Sequence, residues 1–162
     1  MKILAALVAL VLLPASAGAQ EVRRIEIVEF GIYTRDLVES QRDSRGLTHN
    51  TVANEKLAMS TSTVPAQLNL TFGFRYRIEG APQEARVSLR KVILIPAPGL
   101  KSPGGTQPVQ RIERALELTI GATSFTSYTF DESWEMVPGI WTIQFWQGER
   151  KLGEKSFTVT KQ

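Results

Sequence analysis

Apolar residues recur at every second position through much of the chain, the spacing of strands that bury one face and show the other to water. The longest such run is Leu68, Leu70, Phe72, Phe74, Tyr76 and Ile78, which predicts an inward face, with Asn69, Thr71, Gly73, Arg75 and Arg77 outward. Glu79-Gly80-Ala81-Pro82 ends it. A second run predicts a β-hairpin. Pro138-Gly139 supplies the fixed and the positive φ of a tight turn, after which Trp141, Ile143 and Phe145 share one face and Thr142, Gln144 and Trp146 the other. Gln147-Gly148-Glu149-Arg150 then reverses the chain, and Lys155, Phe157 and Val159 resume the alternation.

The remaining segments are less regular. From Val22 to Tyr33 the apolar parity slips once, which predicts a β-bulge near Val28 or Gly31. The polar stretch from Thr34 to Asn54 keeps no sustained periodicity and reads as a long loop. Leu57, Met59, Thr61 and Thr63 predict a strand that stops at Val64-Pro65. Val87 and Leu89, then Val92 and Leu94, predict a strand with a change of parity, followed by an irregular Pro/Gly-rich loop to Pro108. Leu116, Leu118 and Ile120 mark a further strand. Residues 111–118 alone could also form a short helix, but the β-branched and aromatic run from Phe125 to Phe130 and its flanking turns favour extended chain. About eight short strands with turn-rich connections predict an all-β fold, an antiparallel, immunoglobulin-like sandwich of two sheets. A closed β-barrel is the alternative. Trp141 is expected to nucleate the packing between the sheets.

The N-terminus changes this picture. Lys2, an apolar run from Ile3 to Leu13 and the small residues Ala17-Gly18-Ala19 predict a signal peptide over residues 1–19, cleaved before Gln20 and leaving one domain over 20–162. A periplasmic or secreted location follows as an expectation, with no membrane span after removal of the signal. The chain has no cysteine, so neither disulfides nor lipid attachment through cysteine can occur, and apolar packing must hold the domain together. A net charge of +3 is too small an excess to point to nucleic acid, despite the pI of 9.4.

The run from Gly121 to Val159, together with IEIVEFGIY and TVPAQLNLTFGFRYRIEG, resembles the bacterial family catalogued as domain of unknown function 3859; WEMVPGIW and FGFRYRI are the most specific blocks. The resemblance implies an exported all-β domain and brings no catalytic or ligand-binding residue with it.

Candidate chemistry is sparse. A single histidine, His49, and no cysteine leave poor material for a zinc site, so no metal or other cofactor is expected. His49 falls in the expected loop, where no third group would hold it as a base. Asp131, Glu132 and Glu135 cluster near Trp134 and are the best candidates for paired-carboxylate glycoside hydrolysis, against the plainer reading of a solvated acidic turn. Gly104-Gly105 lacks the following helix of a phosphate loop. Surface aromatics and arginines remain: Trp146, Trp134, Tyr128, Arg75 and Arg77 are the candidate binding positions. Trp146 could stack on a sugar or anchor a protein, or lie under a loop; Arg75 and Arg77 could hold an anion, or pair with glutamates across the sheet. The expected function is a non-enzymatic binding or adaptor domain of the envelope, with another envelope protein or a glycan as partner. A carbohydrate-binding module or hydrolase and a passive structural subunit are the alternatives.

Overall fold

The computed structural model describes residues 20–161, so the signal peptide predicted at 1–19 lies outside the described residues. Among the described residues, nine strands form two sheets. The first has the order β2-β1-β4-β7, built from β1 (Glu21–Arg42), β2 (Thr48–Met59), β4 (Thr71–Ala81) and β7 (Thr123–Thr129). The second has the order β3-β9-β8-β5-β6, from β3 (Thr63–Pro65), β5 (Arg86–Leu94), β6 (Arg111–Thr119), β8 (Gly139–Gln147) and β9 (Arg150–Thr160). The pairing is antiparallel except between β3 and β9. The sheets stay open, so the sandwich holds and the barrel does not.

The two alternating runs meet face to face. Phe72, Phe74, Tyr76 and Ile78 from β4 and Trp141, Ile143 and Phe145 from β8 are buried together. The Phe72 ring lies 5.9 Å from that of Trp141 at 90° and 5.2 Å from that of Phe157, while Tyr76 and Phe145 are 4.5 Å apart. Tilted and edge-on arrangements such as these suit the charge distribution of aromatic rings and fasten one sheet to the other. The expected bulge is also present: the β1–β4 register slips between Ile27 and Glu29 and leaves Val28 turned outward at 52% exposure.

Four expectations are corrected. The stretch from Thr34 to Asn54 is not a loop: it forms the distal half of a long β1–β2 hairpin, paired from Asp36 opposite Ala53 to Arg42 opposite Thr48 with one slip of register between Leu37 and Glu39. Its turn comes from Asp43, whose Oδ1 accepts the backbone N–H groups of Arg45 and Leu47, and from Gly46 at φ +80°. Alternation is lacking because this ribbon has no continuous apolar core beneath it. The strand expected from Leu57 to Val64-Pro65 divides accordingly into the end of β2 and the separate β3, which crosses to the other sheet. Upstream of β4, Leu68 is exposed rather than inward, and β4 starts at Thr71. Thr71, on the outward face, is covered by the hairpin: it is 2% exposed, bonded to the Thr129 hydroxyl at 2.8 Å and to Arg35 Nε at 3.1 Å.

The fourth correction concerns β5, which keeps one parity throughout. Val87, Leu89 and Ile93 all point into the core, so Lys91, between the last two, takes an inward slot. Val92 misleads because it is also fully buried, on the other face between Gln144 of β8 and Glu113 of β6.

Candidate functional site

The inner face of the β5–β6 pair is a ladder of four rungs: Val87 opposite Leu118, Leu89 opposite Leu116, Lys91 opposite Arg114, and Ile93 opposite Ile112. Three are apolar. The third sets two cations directly against each other, an arrangement that repels. Among the described residues, neither makes an ion pair within 4.0 Å. Arg114 sits on the exposed edge strand, but Lys91 lies inside, across from the fully buried Phe145 of β8. Desolvation pushes the Lys91 ammonium down to about 8, and Arg114 adds to the shift. Water reaches part of the side chain because it opens onto a cavity of about 80 Å³.

That cavity occupies the side of the sandwich where β7 and β6 are edge strands, and the distal β1–β2 hairpin roofs it. Leu47, next to the hairpin turn, is 3% exposed and joins the core; Asn50 and Val52 of β2 face Ile93, Ile112 and Tyr128 across the space. The roof is pinned by polar contacts to the segment after β7. Asn50 Nδ2 donates to Asp131 at 2.8 Å, Arg42 donates to Glu132 at 2.7 Å, and Arg35 lies 3.8 Å from Asp131. Burial raises the Asp131 pKa, opposed by the Asn50 hydrogen bond.

Asn50 shows what is missing. A carboxylate only accepts, so the group facing Asp131 must be the amide NH₂, and the other end of the side chain must be the carbonyl. That oxygen, Oδ1, is buried without a hydrogen-bond partner. Buried acceptors are rarely left so. The cavity thus combines an apolar wall, two cations at one rung and an acceptor awaiting a donor.

Of the five candidate binding positions, Tyr128 alone reaches this cavity, which His49 and Asp131 also line. Tyr128 is half-buried, stacks 4.8 Å from Trp141, and burial, with Glu135 nearby, raises its phenol pKa. Trp134 stands in the 3₁₀ turn Ser133–Glu135 and borders a separate groove between the hairpin turn and the loop around Ser102 and Pro108. Trp146 lies on the outer face of the five-stranded sheet, its N–H donating to Gln144 Oε1 at 3.0 Å and the Arg90 guanidinium 5.9 Å from its ring. Arg75 donates to Glu29 at 3.1 Å and to the Glu55 carbonyl at 2.9 Å, and packs over Phe125. Arg77 is exposed on the same strand. The structure therefore does not bring the five together.

Two further expectations change. His49 is not in a loose loop: it sits in β2, with Nε2 3.3 Å from Asp43 Oδ2. The acids near Trp134 are not a solvated turn either. Glu135 is 1% exposed, its Oε2 accepting the backbone N–H groups of Asp131 at 2.7 Å and Glu132 at 3.2 Å, and burial raises its pKa. Each acid is tied to a structural partner. Among the described residues, no three His, Asp or Glu side chains gather as a metal site would need. Sequence reasoning missed Lys91, Arg114 and Asn50. The signal was the single lysine at period two between Leu89 and Ile93.

The family described as Domain of unknown function (DUF3859) matches residues 21–159, which takes in every strand of both sheets but for the last residue of β9. The chain belongs to this family. An immunoglobulin-like protein from Pseudomonas aeruginosa, solved by crystallography, is 32% identical and superposes with a TM-score of 0.62 over 88% of this DUF3859 chain and all of its own. The second match, a Pseudomonas fluorescens alkylpurine DNA glycosylase bound to DNA, is 16% identical with a TM-score of 0.36 over 60% of this chain and 27% of its own, and carries no argument. No curated protein matches the DUF3859 sequence.

Proposed function

We propose that this DUF3859 chain is an exported, non-enzymatic binding domain that takes a small molecule into the cavity between its sheets. The observation that carries the reading is an unpaired inward lysine on the wall of the cavity, with Asn50, whose buried Oδ1 has no hydrogen-bond partner, lining the same wall. A protein gains nothing in stability from such groups left empty, and a ligand that satisfied them would recover their cost. The apolar run at Ile3–Leu13 supports export to the periplasm or beyond. The structural ties on Asp131, Glu132 and Glu135 support binding rather than turnover. The test is a thermal-shift screen of the protein over 20–162 against small polar compounds, repeated on Val52→Phe, which fills the cavity. Compounds that raise Tm in the parent and not in the variant support the reading. A screen without shifts, or shifts that survive Val52→Phe, would overturn it.

A second reading is glycan binding on the outer face, which the Trp146 ring favours because it borders an open groove with Arg90 and Glu113. Glycan-array binding lost in Trp146→Ala, with the Val52→Phe variant unaffected, would select it.

A further inference from the structure

The cavity's ligand can be specified further, on the footing of the cavity reading above. We propose that it is a short carboxylate carrying a hydroxyl or other donor beside the acid group, a small 2-hydroxycarboxylate in its simplest form. The Lys91–Arg114 rung would hold the carboxylate. Two cations placed opposite one another on an inward face, neither paired with an acid, are relieved by one shared anion, whose two oxygens can accept from both. The hydroxyl would donate to Asn50 Oδ1 once a small turn of this cavity-lining side chain brings its buried, unpartnered oxygen to the cavity surface. A simple inorganic anion such as chloride would leave that oxygen unsatisfied, and a neutral polyol would leave the two cations opposed.

Size and wall chemistry agree with a short molecule. A cavity of about 150 Å³ accommodates benzene, so about 80 Å³ encloses three or four non-hydrogen atoms, with the rest at the mouth. Val52, Ile93 and Ile112 leave room for a methyl or methylene beside the polar end rather than for a second charge. The charged and titratable groups that face Lys91 are Arg114 from β6, His49 from β2, Tyr128 from β7 and Asp131 just beyond it. The nearest acid, Asp131, is committed to Asn50 and Arg35.

The experiment is isothermal titration calorimetry of the protein over 20–162 with glycolate, lactate, acetate and lactamide at pH 7 and pH 9. Glycolate and lactate are expected to bind roughly tenfold or more tightly than acetate, the worth of one well-placed hydrogen bond in a dry site, and lactamide to show no heat of binding. Lys91→Met, which keeps the length of the side chain, should weaken lactate at least tenfold. Asn50→Leu should reduce lactate to the level of acetate. Lactate affinity should fall from pH 7 to pH 9 in the parent and stay flat in Lys91→Met. Equal binding of lactate and lactamide, or lactate binding unchanged in Lys91→Met, would overturn the inference. If neutral compounds give shifts that Val52→Phe abolishes while none of the carboxylates binds, the hydroxycarboxylate fails and the cavity reading stands. If nothing binds at all, both fail.

Discussion

The indole N–H of Trp141 donates to the backbone carbonyl of Val137 at 2.8 Å, so the largest side chain of the core is also tied to the chain that leads into its own strand. Packing and polar satisfaction coincide at one residue. Trp141→Ala is therefore expected to cost roughly 3–5 kcal/mol, a large share of the stability of a domain this size. Trp141→Phe, which keeps most of the ring contacts but gives up the hydrogen bond, should cost less. Urea midpoints of the two variants check this, and equal losses would mean that packing around the ring matters less than its polar tie.

Lys91 makes stability depend on alkaline pH. Its folded pKa, about 8, is depressed below the ordinary 10.5, so between these values the unfolded chain holds more protons and folding gains as pH rises. Read the other way, that contribution is lost as pH falls through about 8. Lys91→Met should thus be more stable than the parent at pH 7, by up to about 3 kcal/mol, with the two curves converging towards pH 10.5. Chemical denaturation of both proteins at a series of pH values measures the difference, and taking the difference removes the tyrosines, two of which, Tyr33 and Tyr76, are pushed up to about 12 by burial.

Asp43 gives the opposite test at acid pH. Burial works against its charge, but hydrogen bonds from the Arg45 side chain, the backbone amides of Leu47 and Arg45, and His49 prevail and hold its carboxyl at about 2. Because the folded pKa is lowered, its contribution is complete above the ordinary carboxylate range and lost as pH falls through about 2. Asp43→Asn should cost on the order of 1–2 kcal/mol at pH 7, a cost that shrinks as pH falls towards 2 and is gone below it. Amide exchange at Leu47 reports the same event locally, since that N–H loses its charged acceptor.

Gly31 is fixed by both conformation and contact. At φ +150° it occupies backbone that other residues avoid, and a Cβ there would run into the Met59 carbonyl oxygen of β2. Gly31→Ala should destabilise by roughly 3 kcal/mol or more, seen as a fall in the thermal midpoint, because the clash is with backbone that cannot turn aside.

Where burial follows a strict two-residue period, the chain could be read directly: β4, β8 and β9 were legible because water lies on one side and aromatic core on the other. The bulge at Val28 was legible for the same reason, as a break in a rule. The distal hairpin was not, since Asp36–Arg42 and Thr48–Asn54 are held by ladder bonds, a turn aspartate and ion pairs to the 131–132 segment, none of which leaves an apolar rhythm. The cavity was hidden twice over. Lys91 looked like an outward residue because Val92 beside it is buried, and Asn50 lay in sequence that carried no pattern at all.

On the far side of the molecule, Gln147 and Arg150 at the β8–β9 turn bond the backbone of the first described residues, reaching the carbonyls of Gln20, Val22 and Arg23. The start of β1 is thereby clasped at one pole, while the turn at Asp43–Gly46 belongs to the other. A tether, label or sensor surface attached ahead of Gln20 would consequently leave the hairpin turn facing free solvent, so immobilised protein should respond to ligand as dissolved protein does.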